Sequence, residues 1–300
     1  MTTDKFVRIS LQSLSDDLHR LGHPASPTTV AHLLRGQKYN LHVNVKRLTG
    51  PPHPDRDRQF RYIEGQIQEF RAEGWPILSV DSKKKELIGQ FQNAGAVWCR
   101  KGTEVNAHDF PSDAQYKAVP YGLYDVLANR GHVVVGTSAD TPAFAVDSIA
   151  AWWSRIGSRR YPAGCPLLVL ADSGGSDGCR PRLWKYRLQG LADRYGVVVN
   201  VCHYPRGASK WNPVEHRLFG PISVNWAGIP LESPEVMLSC LRGTSTKVGL
   251  RVTAQWQSRA YPKGVKVTRR EMDGVHILKH EICPQWNYTI LPTELWELDN

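Results

Sequence analysis

Two short apolar runs that each close on an aspartate constrain this chain more than any other feature. The first is Trp75-Pro-Ile-Leu-Ser-Val-Asp81, followed by three lysines. The second is Pro166-Leu-Leu-Val-Leu-Ala-Asp172, followed by Ser-Gly-Gly-Ser-Asp-Gly. Runs of this length, bounded by Pro and Gly, read as buried strands. A carboxylate at the end of a buried strand is costly unless a cation pairs with it. A third acid, Glu215, opens a helix in Ser209-Lys-Trp-Asn-Pro-Val-Glu215-His-Arg-Leu-Phe219. Two strand ends and a helix start can converge, and three converging carboxylates call for a divalent metal. Mg2+ takes hard oxygen ligands, and a pair of such ions makes a phosphoryl-transfer site. Each acid alone has a plainer reading. An Asp after a strand is often a turn or cap residue. Asn212-Pro-Val-Glu215 has the spacing of a capping box, with Asn at N-cap, Pro at N1 and Glu at N3. The set of three, and the order of elements between them, favours the site.

Three hundred residues suffice for one large core and a small appended domain. No stretch approaches the ~20 apolar residues of a membrane span, and the first residues hold no secretory apolar run. The expected setting is therefore cytoplasmic, with no membrane partner. Six scattered cysteines without a C-x-x-C pair point to free thiols rather than a disulfide framework or structural zinc. The net charge of +10 suits a polyphosphate partner. Lys83-Lys-Lys85, Arg56/Arg58/Arg61 and Arg180/Arg182/Lys185/Arg187 are its densest clusters, although each alone also reads as a solvated face.

Residues 1–50 read as a helix-turn-helix-like DNA-binding unit. Leu11, Leu14, Leu18 and Leu21 share one helical face, and Gly22-His-Pro breaks the pattern. Ser26-Pro27 then opens a second helix, Thr28 to about Gln37, with Val30, Leu33 and Leu34 inward. Thr28, Thr29, His32 and Arg35 would face a DNA groove; any helical hairpin gives the same pattern. Pro51-Pro-His-Pro54 marks a break, and residues 51–75 hold a linker and a helix. Residues 76–230 are the expected core. They run as a strand ending at Asp81, a second strand within Leu87–Cys99, and a hairpin of Val119–Leu127 against His132–Thr137. A helix capped by Asp140 or Thr141 follows, then the strand ending at Asp172, a helix to Tyr195, a strand Val197–Cys202 and the Glu215 helix. Residues 231–300 are an extension packed on this core. The order describes an α/β, ribonuclease H-like fold, a mixed five-stranded sheet flanked by helices. Its first and fourth strands are neighbours, so acids 91 positions apart can share a metal.

Particular motifs go further. Ser79-Val-Asp-Ser-Lys-Lys-Lys-Glu-Leu-Ile-Gly89, Asn106-Ala-His-Asp-Phe-Pro-Ser-Asp113, Pro120-Tyr-Gly-Leu-Tyr-Asp125, Ala171-Asp-Ser-Gly-Gly-Ser-Asp-Gly178, residues 202–219 and Trp286-Asn-Tyr-Thr-Ile290 run through nearly the whole chain. With them the sequence resembles insertion-sequence DDE transposases, in the branch of the Rhodopirellula-type transposase DDE domain. The resemblance implies a bacterial, nucleoid-associated enzyme that cuts transposon ends and joins them to target DNA, as a homo-oligomer on that DNA. It implies two Mg2+ ions, with Mn2+ substituting, and Asp81, Asp172 and Glu215 as catalytic acids and metal ligands. Asp81 would bridge both ions, Asp172 hold one and Glu215 the other. Lys83, Lys84, Lys210 and Arg217 are expected at phosphates, with a solvated strand edge as the plainer reading of Lys83–Lys85. Trp211 would stack on a base or pack beneath the helix. His203 and His216 would move protons or make structural hydrogen bonds. Gly174, Gly175 and Gly178 would let DNA backbone approach. Asp177 is the replacement if Glu215 is not the third acid. Family members begin with a further DNA-binding helical segment, and this chain starts inside the second such unit, which reads as a truncated or split product. The rivals are a transposase-derived DNA-binding protein without catalysis and a ribonuclease H-like nuclease without strand transfer.

Overall fold

The computed structural model describes residues 9–41 and 53–298, and the chain divides into two units, Met1–Pro51 and Pro52–Asn300. The expected break at Pro51-Pro52 lies outside the described residues. In the first unit, helices α1 (Leu11–Arg20) and α2 (Pro27–Gly36) flank a turn in which Gly22 takes φ +81°. Ser10 and Ser26 cap them, each hydroxyl accepting from the N–H three residues on. Val30 is buried, but Leu21 is 72% and Leu33 54% exposed, against the expected inward faces. Two short helices share one seam, and among the described residues an apolar side chain off that seam has no further element to pack on.

The second unit opens with helix α3 (Arg56–Ala72) and strand β1 (Ile77–Ser82). The strand expected within Leu87–Cys99 forms only at its start, as the three-residue β2 (Glu86–Ile88). A long irregular stretch follows, where Gly89 (φ +150°) and Gly95 (φ +114°) break extended backbone. The hairpin is β3 (Tyr116–Asp125) and β4 (Arg130–Gly136), with Asn129 at φ +52° in its turn. Thr141 caps helix α4 (Pro142–Trp152), which continues through a π turn, Trp153–Gly157, into the short α5 (Ser158–Arg160). Strand β5 (Leu167–Asp172), helix α6 (Arg182–Tyr195) and strand β6 (Val199–Tyr204) follow. A helical segment then runs through a π turn at Glu215–Phe219 into α7 (Gly220–Asn225). The remainder is α8 (Pro234–Gly243), β7 (Arg251–Gln257), α9 (Arg269–Asp273), β8 (Ile277–Lys279), β9 (Asn287–Ile290) and α10 (Thr293–Leu298).

The central strand order is β4-β3-β1-β5-β6, with β3 antiparallel to its neighbours and β5 parallel to both of its own. This is the ribonuclease H-like order. The sheet is nevertheless larger than five strands. Strand β7 adds parallel to β4, β9 and then β8 add beyond β6, and β2 pairs with β3. The residues expected as a packed extension thus supply three strands of the sheet itself.

Period-two alternation sorts β1 and β5 between two cores. Leu78, Val80, Leu167, Val169 and Ala171 pack with α4 and α6, through Phe144, Trp152 and Trp184. Ile77, Leu168 and Leu170 pack with α3, through Ile63 and Phe70. A third cluster seats Leu218, Phe219 and Ile222 of the Glu215 helix on Tyr124, Val133 and Val135 of the hairpin. Helices therefore cover both faces, and Asp81 and Asp172 fall by alternation on the face shared by α3 and the Glu215 helix.

Candidate active site

Strand register brings the first two acids together. Ile77 pairs with Leu168 and Ser79 with Leu170 across parallel strands. That offset of 91 positions is also the interval between Asp81 and Asp172, so the acids are level at adjacent strand ends. Two residues before Asp81, on the same face, the buried Ser79 hydroxyl donates to Asn212 Oδ1 and accepts from the Val214 N–H at 2.8 Å. Asn212, fully buried, donates through Nδ2 to Val80 O at 3.1 Å and to Asp172 Oδ1 at 3.4 Å. The expected capping box is therefore not built. The Asn212 side chain ties β1 to β5, and Ser79 of β1 caps the helix start in its place. Glu215 is left free to point at the acids.

Glycine sets how closely that helix can lie. Gly122 pairs with Asp81 across β1 and β3, and a Cβ there would overlap the Phe219 ring and stand 3.2 Å from Leu218. Gly131 on β4 has no room either, for the same Leu218. Bare backbone at these positions seats the Glu215 helix against the sheet beside Asp81.

The acids feel one another. Burial raises the Asp81 carboxyl well above the ordinary range, and the charges of Asp177 and Asp172 and a hydrogen bond with Glu215 raise it further. Asp172 is pushed up to about 6 by burial, opposed by the Asn212 hydrogen bond and reinforced by the Glu215 charge. Asp177 is 2% exposed and accepts from the Tyr121 hydroxyl at 3.1 Å. Burial raises it as well, against its own backbone hydrogen bond, and the Asp172 charge adds to the rise. Asp177 thus stands as a fourth acid beside the three. Among the described residues no Lys, Arg or His forms an ion pair with any of the four.

Clustered oxygen donors without a counter-cation are the donor chemistry that Mg2+ or Mn2+ accepts. As the side chains stand, no three His, Cys, Asp or Glu residues among those described are set around one ion position. The donor set fits a hard divalent ion, and the carboxylates would have to draw together to ligate it.

The expected DNA contacts divide. Lys84, Lys210 and Arg217 are exposed. Lys83 instead pairs with Glu86 at 2.9 Å, with its ammonium 4.6 Å from the Trp226 ring centre. Trp211 is 43% exposed, carries the Lys210 ammonium at 4.1 Å and the Arg56 guanidinium at 5.0 Å, and meets Phe60 edge-on. It packs on α3 with part of its ring in solvent. Thr28, Thr29 and Arg35 lie exposed on α2 of the first unit.

His203 is buried and structural. Its Nδ1 donates to Asp172 O at 2.9 Å and its Nε2 accepts from the Tyr288 hydroxyl at 3.0 Å, while burial holds it neutral, down to about 4. The exposed His216 bonds to the Lys210 carbonyl. The glycines of the Asp172 loop serve the turn: Gly175 takes φ +81°, and a Cβ on Gly178 would stand 2.9 Å from Ser173 O. Only Gly174 faces open space.

Sequence reasoning missed the bridging of Ser79 and Asn212, and the seats at Gly122 and Gly131. The signals were present as a lone Ser in an apolar strand, on the face of its terminal Asp, and as glycines within strands.

The family model of the Rhodopirellula transposase DDE domain matches residues 1–292. Among solved structures, a pre-cleavage Mos1 transpososome superposes with a TM-score of 0.45 at 13% identity, over 78% of this chain and 71% of that one. The Mos1 mariner paired-end complex with Mn and the Mos1 strand transfer complex each give 0.44 at 13% identity, over the same shares. No curated protein matches the chain.

Proposed function

Since the chain belongs to the Rhodopirellula transposase DDE domain family, we propose that it cleaves DNA strands and transfers the freed ends at the site of Asp81, Asp172 and Glu215. One observation carries the reading: three acids from two strands and a helix gather with a fourth, and no basic side chain among the described residues neutralises them. Asp81, Asp172 and Glu215 would hold divalent cations, which when bound lower the pKa of an attacking water or 3′-hydroxyl and stabilise the leaving oxygen. The chain's own residues position the chemistry. Asn212 orients the Asp172 carboxylate, Ser79 fixes the start of the Glu215 helix, and Gly122 sets its distance from Asp81. Lys84, Lys210 and Arg217 meet phosphates beside the acids, and the α2 residues Thr28, Thr29 and Arg35 contact DNA from the first unit. The bound DNA is transposon-end and target duplex, held by more than one copy of the chain.

The test is a plasmid-nicking assay with Mg2+ or Mn2+, joined to an assay of pre-cut ends inserting into a target. Wild type should nick and join only with metal, and Asp81→Asn should do neither. Nicking without joining would reduce the function to a nuclease; equal nicking by Asp81→Asn would remove the site. Duplex affinity should fall steeply with salt, each neutralised phosphate adding a log–log slope of about −0.9.

A further inference from the structure

Beside the acids lies a second feature that catalysis by Asp81, Asp172 and Glu215 does not use. A cleft of about 780 Å3 opens between the Asp172 loop, the starts of α4 and α6, and residues 262–267. Its volume is within the ~300–1,000 Å3 of ligand sites. Lys85, Arg182, Lys263 and Lys266 line it, all exposed, and none forms an ion pair among the described residues. Helix α6 begins in its wall without a side-chain cap, so the first-turn N–H groups favour an anion there. Two polar atoms in the lining are buried and unpartnered: the hydroxyl of Ser176, a residue 7% exposed, and Oδ1 of Asp140. A buried hydroxyl and carboxylate oxygen left unpaired are costly, and a ligand that pairs them recovers that cost.

We propose that this cleft is a single-strand subsite, holding the DNA strand that leads from the cleavage site. Four basic residues against one acid select a polyanion. Ser176 donates to a phosphate oxygen, and Asp140 Oδ1 accepts from the amine of a base, which a bare phosphate lacks. Ser176 adjoins Asp177 in the loop, and the charge of Asp140 in the cleft lining acts on Asp177, so the cleft borders the acidic cluster. A single strand offers the Watson–Crick amine of its bases to Asp140, whereas in a duplex that edge is already paired. The subsite rests on the proposed strand cleavage for its meaning, but its binding is measurable without any metal.

The experiment is fluorescence anisotropy of the full chain with a labelled 12-nucleotide single strand, in EDTA, across a salt series. Lys263→Glu and Lys266→Glu together should weaken binding at least tenfold and flatten the log–log slope by about 1.4, at ~0.7 per phosphate. Ser176→Ala should weaken it several-fold at unchanged slope. The control is Lys247→Glu beside Val248, whose carbonyl accepts from Asn129 in the hairpin turn at the far strand end. Melting curves confirm that each variant is folded; the lysines are exposed on a loop. Equal loss from Lys247→Glu and Lys263→Glu would overturn the subsite, as would wild-type affinity in the double variant. ATP competing at the strand's own affinity would also overturn it, in favour of a free-nucleotide pocket. Binding that depends on Lys263 in a protein unable to nick would leave the subsite standing and sink the catalytic reading instead.

Discussion

At the scale of single residues, Asn212 and Glu215 separate roles that their spacing had entangled. Asn212 is no helix cap; it bonds to Ser79, Val80 and Asp172 from a fully buried position. Asn212→Ala should therefore cost about 2–3 kcal/mol in a denaturant melt, since it strands buried partners, rather than the ~1 kcal/mol of a lost cap. Glu215→Gln keeps shape and hydrogen bonding while removing one charge from a crowded acidic cluster. Stability should change by less than about 1 kcal/mol, while Mg2+-dependent nicking should fall by orders of magnitude. Near-normal nicking would exclude Glu215 from the chemistry. Asp172 supplies a pH test. Its folded pKa lies at about 6, above the ~3.9 of an unfolded aspartate. The protonated form is thus favoured on folding, and stability present below about pH 4 is lost as pH rises through 6. In EDTA, Asp172→Asn should melt level with wild type near pH 4 and about 8 °C above it at pH 8, for ~3 kcal/mol. Mg2+ should erase that advantage by stabilising the ionised wild type. An advantage independent of pH would mean that charge is not its source.

At the scale of elements, the site depends on how a helix beds on a sheet. The Glu215 segment is wound as a π turn over Glu215–Phe219, a form that recurs at functional sites. Its apolar side rests on Gly122 and Gly131. Gly122→Ala should push Phe219 and the helix outward, costing about 1–3 kcal/mol by overpacking and lowering nicking with it. Phe219→Leu in the same chain should restore part of both in paired melts and nicking assays. No recovery in the double variant would mean that Gly122 acts through the backbone of β3 and not through the helix.

At the scale of the whole molecule, one mixed sheet runs from β7 to β8, and no helix among the described residues is long and apolar enough to cross a membrane. Much of this was legible in the chain. Buried strands ending in Asp81 and Asp172 could be read from apolar runs between turn residues, because burial on both sides leaves no room for polar alternation. The helices from Arg56 to Ala72 and from Arg182 to Tyr195 followed from local periodicity. The edge strands did not: β7, β8 and β9 are short or polar, and they are strands because β4 offers unpaired backbone to β7, β6 to β9, and β9 in turn to β8. The strand expected within Leu87–Cys99 stopped at Ile88 for the converse reason, since β3 begins at its partner Tyr116 and offers no edge beyond it. The sequence by itself determined which acids exist, and its 91-position interval already contained the register of β1 with β5. Only the tertiary structure decided what Asn212 bonds to, that Asp177 joins the cluster, and how near the Glu215 helix may come. Those depend on contacts between residues such as Ser79 and Asn212, 133 positions apart, and local propensity carries no information at that range.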